Sequence, residues 1–74
     1  MTTNKVKELI ENGLKGSRAI VSDDQNSGDH FSAIVIWDGF KGMSLIQQHQ
    51  AVYETVSNLL TKEIHALQLK TKIR

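Results

Sequence analysis

A chain of 74 residues with nine Lys and Arg, eight Asp and Glu and a formal net charge of +1 is one small domain, near the lower limit at which an apolar core suffices. It has no cysteine, which excludes disulfides and thiolate chemistry, so a metal here takes nitrogen or oxygen from this chain and sulfur only from a partner. The charge balance does not mark a nucleic-acid or membrane binder, no apolar run could span a bilayer, and the start Met1 to Leu9 lacks a signal-peptide core, so the expected setting is cytoplasmic.

Residues 3 to 14 predict a helix, with Val6, Leu9, Ile10 and Leu14 on one face, capping oxygens at Thr2, Thr3 and Asn4, and Gly13 and Gly16 as terminators. Residues 17 to 22 are short and β-branched and read as a strand. Residues 23 to 30, DDQNSGDH, form the most polar stretch and read as a mobile, exposed hairpin loop. Residues 31 to 37 are the clearest strand, with Phe31, Ala33, Val35 and Trp37 on one face and Ile34 and Ile36 on the other, covered on much of both sides. Asp38 to Gly42 breaks it. A second helix opens at the N-cap Ser44 and carries Leu45, Ile46, His49, Val52, Tyr53, Val56, Leu59 and Leu60 along one stripe, ending between Thr61 and Glu63. Residues 65 to 73 alternate, with His65, Leu67, Leu69, Thr71 and Ile73 on one side, and form the last strand. The order is α-β-β-α-β.

That order bears on the histidines. A direct loop makes the first two strands antiparallel, and a helical crossover lets the third run parallel to the second. If those two are neighbours, both begin at one end of the sheet, with His30 just before the second and His65 opening the third. Adjacent strands lie about 4.8 Å apart, so the imidazoles could share a metal ion or a cluster iron; pairing of the third strand with the first would separate them. Two histidines fall short of the four ligands that zinc or a cluster iron usually needs. Either there is no site or a partner completes it. His49, on the apolar stripe, is assigned to packing.

Gly39-Phe40-Lys41-Gly42 matches the Gly-x-x-Gly loop with which KH domains clamp nucleic-acid backbones. A strand-to-helix turn using glycine's freedom is the simpler account, and Trp37 and Phe40 read as core. The lysines near the C-terminus read as a solvated face. Glu8 and Glu11 fall on the polar side of a surface helix, and no serine stands in a nucleophile motif. The chain is not expected to be an enzyme.

Taken together, GDHFSAIVIWDGFKGMSLIQQHQAVYETVSNLL (28 to 60) followed by IHALQLKT (64 to 71) resembles the BolA family. The carrying features are His30-Phe31 opening a strand, the turn from Phe40 to Leu45, the run from His49 to Tyr53, and His65 to Leu67. The resemblance implies an α/β (α+β) fold similar to class II KH domains, with a three-stranded mixed sheet and helices packed on one face. It also implies a non-enzymatic role in iron-sulfur cluster assembly or trafficking, with a monothiol glutaredoxin of the CGFS type as partner. A bridging 2Fe-2S cluster would then be shared, the glutaredoxin and its glutathione supplying thiolates. The BolA side would supply His65 and a histidine or cysteine from the loop between the first two strands, for which His30 is the only candidate. The free protein is expected as a monomer or weak homodimer.

A nucleic-acid-binding transcriptional regulator, reading through Gly39, Lys41 and Gly42, is the alternative. The near-neutral charge and Asp38 beside the loop argue against it. A third option is zinc held by His30 and His65 at a contact between molecules. Two departures from the family pattern stand out. Gln48 and Gln50 replace a charged pair often found around the helix histidine. Many members continue past the last strand into a Thr-Pro-Glu-Glu-Trp-like segment and a final helix, whereas this sequence stops at Arg74. Residues 1 to 74 are thus expected as a single BolA-like domain without the final family helix.

Overall fold

A computed structural model describes residues 1–60 and 62–74. In chain order the elements are α1 (Thr3–Gly13), β1 (Arg18–Ser22), β2 (His30–Ile36), a 3-10 turn (Asp38–Phe40), α2 (Leu45–Thr55) and β3 (Ala66–Lys72). The sheet runs β1-β2-β3, with β1 antiparallel and β3 parallel to β2. The neighbour relation on which the histidine argument depended therefore holds.

Each element follows from local chemistry. The Thr2 side chain accepts the Lys5 N–H at 3.1 Å and caps α1. Val6, Ile10 and Leu14, spaced by four, turn inward and are buried. In β2 the alternation is strict: Phe31, Ala33 and Val35 are buried, while Ser32, Ile34 and Ile36 are half-buried on the opposite face. Both helices contribute to one core with the sheet, through Val6 and Ile10 from α1 with Leu14 at its C-cap, and Val52 from α2 with Val56 just after it. The other face of the sheet is left with Ile20 about half exposed, opposite Ile34 in register. The expected cover on both sides of β2 is thus complete on one side only.

Trp37 lies one residue past β2 and is half-buried. Its indole N–H donates to the Lys15 carbonyl at 2.8 Å, and its ring meets Phe40 edge-on with centroids 5.2 Å apart.

The second helix departs most from expectation. Its start is as read, with a capping box in which Ser44 accepts the Gln47 N–H and Gln47 accepts the Ser44 N–H. Its end comes at Thr55, and residues 56–59 continue as turns; Thr61 lies outside the described residues. The β-branched pair Thr55 and Val56 followed by Ser57 and Asn58 propagates a helix poorly. The Leu59 carbonyl then collects the N–H groups of Glu63 and Ile64, both at 3.0 Å, which turns the chain so that Ile64 reaches the core. The buried stripe is also rotated. Leu45 and Ile46 are 62% and 71% exposed, and the inward positions are Gln48, Val52 and Val56. Gln48 is buried at no polar cost because it donates to the Met43 carbonyl and accepts from the Thr71 hydroxyl of β3. His49 is half-buried beside it. In β3, Leu67 is buried and Leu69 and Thr71 half-buried as expected, but His65 and Ile73 fall just outside the strand and are exposed.

Candidate functional site

The loop from 23 to 29 is exposed at its tip, yet it is braced by its own first residue. Asp23 accepts the Ser27 N–H at 3.2 Å through Oδ1 and the Gly28 N–H at 2.7 Å through Oδ2. Its carbonyl takes the Asn26 N–H at 3.0 Å. Asp24 bridges the flanking strands by accepting from the Ser22 and Ser32 hydroxyls. The chain therefore enters β2 at a defined point, with Asp29 as the last residue before the strand.

Asp29 is the junction of the site. Its carbonyl accepts the His65 N–H at 2.7 Å and the Ala66 N–H at 3.2 Å, which fixes the start of β3 against the start of β2. His30 is the first residue of β2 and stands opposite Ala66. His30 and His65 consequently sit side by side at one end of the parallel pair, with ring centroids 6.1 Å apart and planes inclined by 28°. Their side chains are 39% and 55% exposed.

The electrostatics are set by the Asp29 carboxylate. Oδ1 lies 2.6 Å from His30 Nδ1, and Oδ2 lies 3.8 Å from His65 Nε2. Hydrogen bonds from Ser27 and His30 hold the Asp29 carboxyl below its ordinary value; burial opposes them, and protonation of the neighbouring imidazoles adds a lesser pull in the same direction as the hydrogen bonds. Ionised Asp29 only accepts, so His30 Nδ1 carries the proton and donates. In the neutral ring this leaves the lone pair on Nε2, the form a metal-binding imidazole requires. The 3.8 Å contact to His65 is too long for a hydrogen bond and is an electrostatic one.

Among the described residues, no three His, Cys, Asp or Glu side chains converge as a metal-holding set. The arrangement brings two solvent-accessible imidazoles together, and one nitrogen from each would make half of a four-coordinate site. A cavity of about 70 Å³ adjoins His30, lined by Asp24, Phe31, Ser32, Ala66 and Gln68 among others. It is far below the several hundred Å³ of a typical small-molecule pocket. The larger hollows, about 410 and 300 Å³, are lined by residues of α1, α2 and the turns after α2, and contain neither His30 nor His65. Among the described residues, no helix is long and apolar enough to cross a membrane.

The residues singled out in the sequence are thus placed as follows. His30 and His65 come together, although His30 belongs to the strand rather than to the loop. Gly39 lies in the 3-10 turn beneath Trp37, where an added Cβ would stand 2.4 Å from the ring. Gly42 has φ +86° and Lys41 is exposed. Both glycines therefore have local steric duties in the turn. Asp29 was missed, and Gln48, noted only as a departure from the family pattern, was not read as a buried position. The signal for Asp29 was its position directly before His30 at a strand start; Gln48 had no signal short of knowing where Thr71 lies.

Comparison with known proteins agrees with this fold. A family model described as BolA-like protein matches residues 8–74. The acid stress protein IbaG of Escherichia coli is 31% identical over 71 residues, covering 95% of this chain and 81% of that protein. A DNA-binding transcriptional regulator BolA of Haemophilus influenzae is 33% identical over 46 residues, covering 62% of this chain and 45% of that one. Among solved structures, a BolA homologue from Coxiella burnetii superposes with a TM-score of 0.85 at 36% identity, covering 99% of this chain and 91% of that chain. BolA1 from Arabidopsis thaliana superposes with a TM-score of 0.82 at 25% identity, covering 96% of this chain and 89% of that chain. The chain belongs to the BolA family.

Proposed function

We propose that this protein is a non-enzymatic accessory of iron-sulfur cluster assembly or trafficking that joins a monothiol glutaredoxin and glutathione around a shared 2Fe-2S cluster. The observation that carries the reading is the pairing of His30 and His65 at one end of β2 and β3, exposed and 6.1 Å apart. Two imidazoles supply the nitrogen half of an iron's four ligands, and a chain without cysteine must receive the sulfur half from elsewhere. His65 is fixed through its backbone N–H and His30 through its ring, so both can meet a partner without rearranging the sheet. A bound cluster would supply redox and sulfide-transfer chemistry, and imidazole ligation of one iron raises its potential and leaves that side open to protonation. This suits transfer or sensing better than permanent electron carriage.

The test is to mix the protein with cluster-loaded monothiol glutaredoxin and follow heterodimer formation and the visible absorption and circular dichroism spectra. His65→Ala is expected to abolish the mixed-cluster spectrum, and His30→Ala to weaken or alter it. An unchanged spectrum for the His65 variant refutes the ligand assignment. The nucleic-acid alternative draws support from the name of one relative. The turn duties of Gly39 and Gly42 already account for the sequence pattern on which it rested.

A further inference from the structure

We infer that Asp29 is the positioning residue of the two-histidine site, acting on one imidazole through its carboxylate and on the other through its peptide carbonyl. The inference rests on the reading of His30 and His65 as ligands for its consequence, but not for its geometry. The carboxylate holds His30 Nδ1 at 2.6 Å, while Ser27 Oγ stands 3.4 Å from the same nitrogen. A carboxylate at Nδ1 selects the tautomer with the proton on that nitrogen and directs Nε2 away from the chain. The carbonyl of the same residue receives the N–H groups of His65 and Ala66 at 2.7 and 3.2 Å. One residue therefore determines where both rings start and which nitrogen of His30 faces outward.

Three observations separate this from an incidental surface ion pair. Asp29 is itself located by the loop behind it, since Asp23 bonds the N–H groups of Ser27 and Gly28 immediately before it. Its second carboxylate oxygen is turned toward His65 Nε2 at 3.8 Å, so the negative charge lies between the two imidazoles rather than to one side. The rings are too exposed to be oriented by packing, at 39% and 55% of their side-chain area. Without the carboxylate, His30 would choose its tautomer and χ2 angle in competition with water. Presenting the His30 nitrogen to a partner's iron would then require ordering that the native site already has.

The carboxylate and carbonyl roles are separable by mutation. Asp29→Ala removes the first and retains the second, so the strands should remain paired. Asp29→Asn keeps an oxygen that can accept from Nδ1 but removes the charge. The direct measurement needs no cluster: long-range 1H–15N correlation spectra of the free protein at a pH where the imidazoles are neutral report the tautomer of each histidine. Wild type is expected to show His30 mainly as the Nδ1–H form. Asp29→Ala should move that ratio several-fold toward the Nε2–H form, with Asp29→Asn between them. The amide signals of β2 and β3 should stay in place in both variants.

The second measurement is titration with cluster-loaded monothiol glutaredoxin. Wild type should form the mixed species, Asp29→Ala should form it several-fold more weakly or with a shifted circular dichroism spectrum, and Asp29→Asn should be intermediate. An unchanged His30 tautomer in Asp29→Ala overturns the positioning role. A shifted tautomer with mixed-species affinity and spectrum equal to wild type overturns its consequence for the cluster. If wild type itself forms no mixed species, the functional reading fails. The tautomer measurement then still decides whether Asp29 orients His30.

Discussion

Gly39 shows how much a single hydrogen can matter in a turn. Trp37 folds back over it, so a methyl group there would overlap the indole, with three ring carbons between 2.4 and 2.6 Å from the added Cβ. The ring cannot move away freely, because it donates to the Lys15 carbonyl and packs against Phe40. Gly39→Ala is therefore expected to cost about 1–3 kcal/mol, the usual range for overpacking, read as a lower midpoint in urea. Lys41→Ala, two residues on and exposed, should stay within about 0.5 kcal/mol. At this scale the sequence was legible where a residue's place follows from its strand position, as for His30 and His65. It was illegible where the role depends on a distant partner. Glu11 illustrates the second case. It sits at the edge of α1, where spacing alone makes it a surface carboxylate, yet its Oε2 accepts the Ala19 N–H at 2.9 Å and ties α1 to β1. The roles of Asp29 and Gln48 escaped notice for the same reason.

Helix α2 is the element on which sequence and structure most differ, and the difference has one cause at each end. Hydrophobic spacing registers apolar side chains and cannot register a polar one that is buried because it is satisfied. Leu45 and Ile46 therefore drew the stripe toward themselves, whereas Gln48 occupies the inward position by bonding to Met43 and Thr71. At the C-terminal end the apolar pattern continues through Val56, Leu59 and Leu60 after the helical hydrogen bonds have stopped, since those residues line the turn that brings Ile64 to the core. The start of the helix was readable because capping chemistry is local. Ser44 and Gln47 exchange bonds across three residues, Ser44 N to Gln47 Oε1 at 2.9 Å and Gln47 N to Ser44 Oγ at 3.2 Å. Ser44→Ala should remove one side of that exchange and cost about 1 kcal/mol, measured as a fall in thermal midpoint. Ser44→Asp, which restores an acceptor at the N-cap, should recover most of the loss.

For the whole molecule, topology was the most legible level. Connection rules alone placed the third strand parallel to the second, and the sheet order β1-β2-β3 agrees. The one step they left open, whether β3 joins β2 or β1, is decided in favour of β2. The register itself, His30 opposite Ala66, could not be read from the chain. It is set by the Asp29 carbonyl and by the Trp37 N–H donating to the Lys72 carbonyl at 3.0 Å, one clasp at each end of the parallel pair.

The same sheet order has a consequence for how copies of this protein meet one another. With β2 in the centre, β1 and β3 are both edge strands, each with a row of main-chain groups facing outward. Such edges invite a second chain to add itself, and natural proteins discourage this with charge, lysine above all. β3 carries Lys70 and Lys72, both exposed, along its seven residues. Two β3 edges brought together would set these cations against each other with little to neutralise them. Replacing both by valine should leave the fold intact while promoting self-association, seen as a rise in sedimentation coefficient with concentration that wild type lacks. A wild-type protein that associates as readily as the double variant would assign the two lysines no part in keeping copies apart.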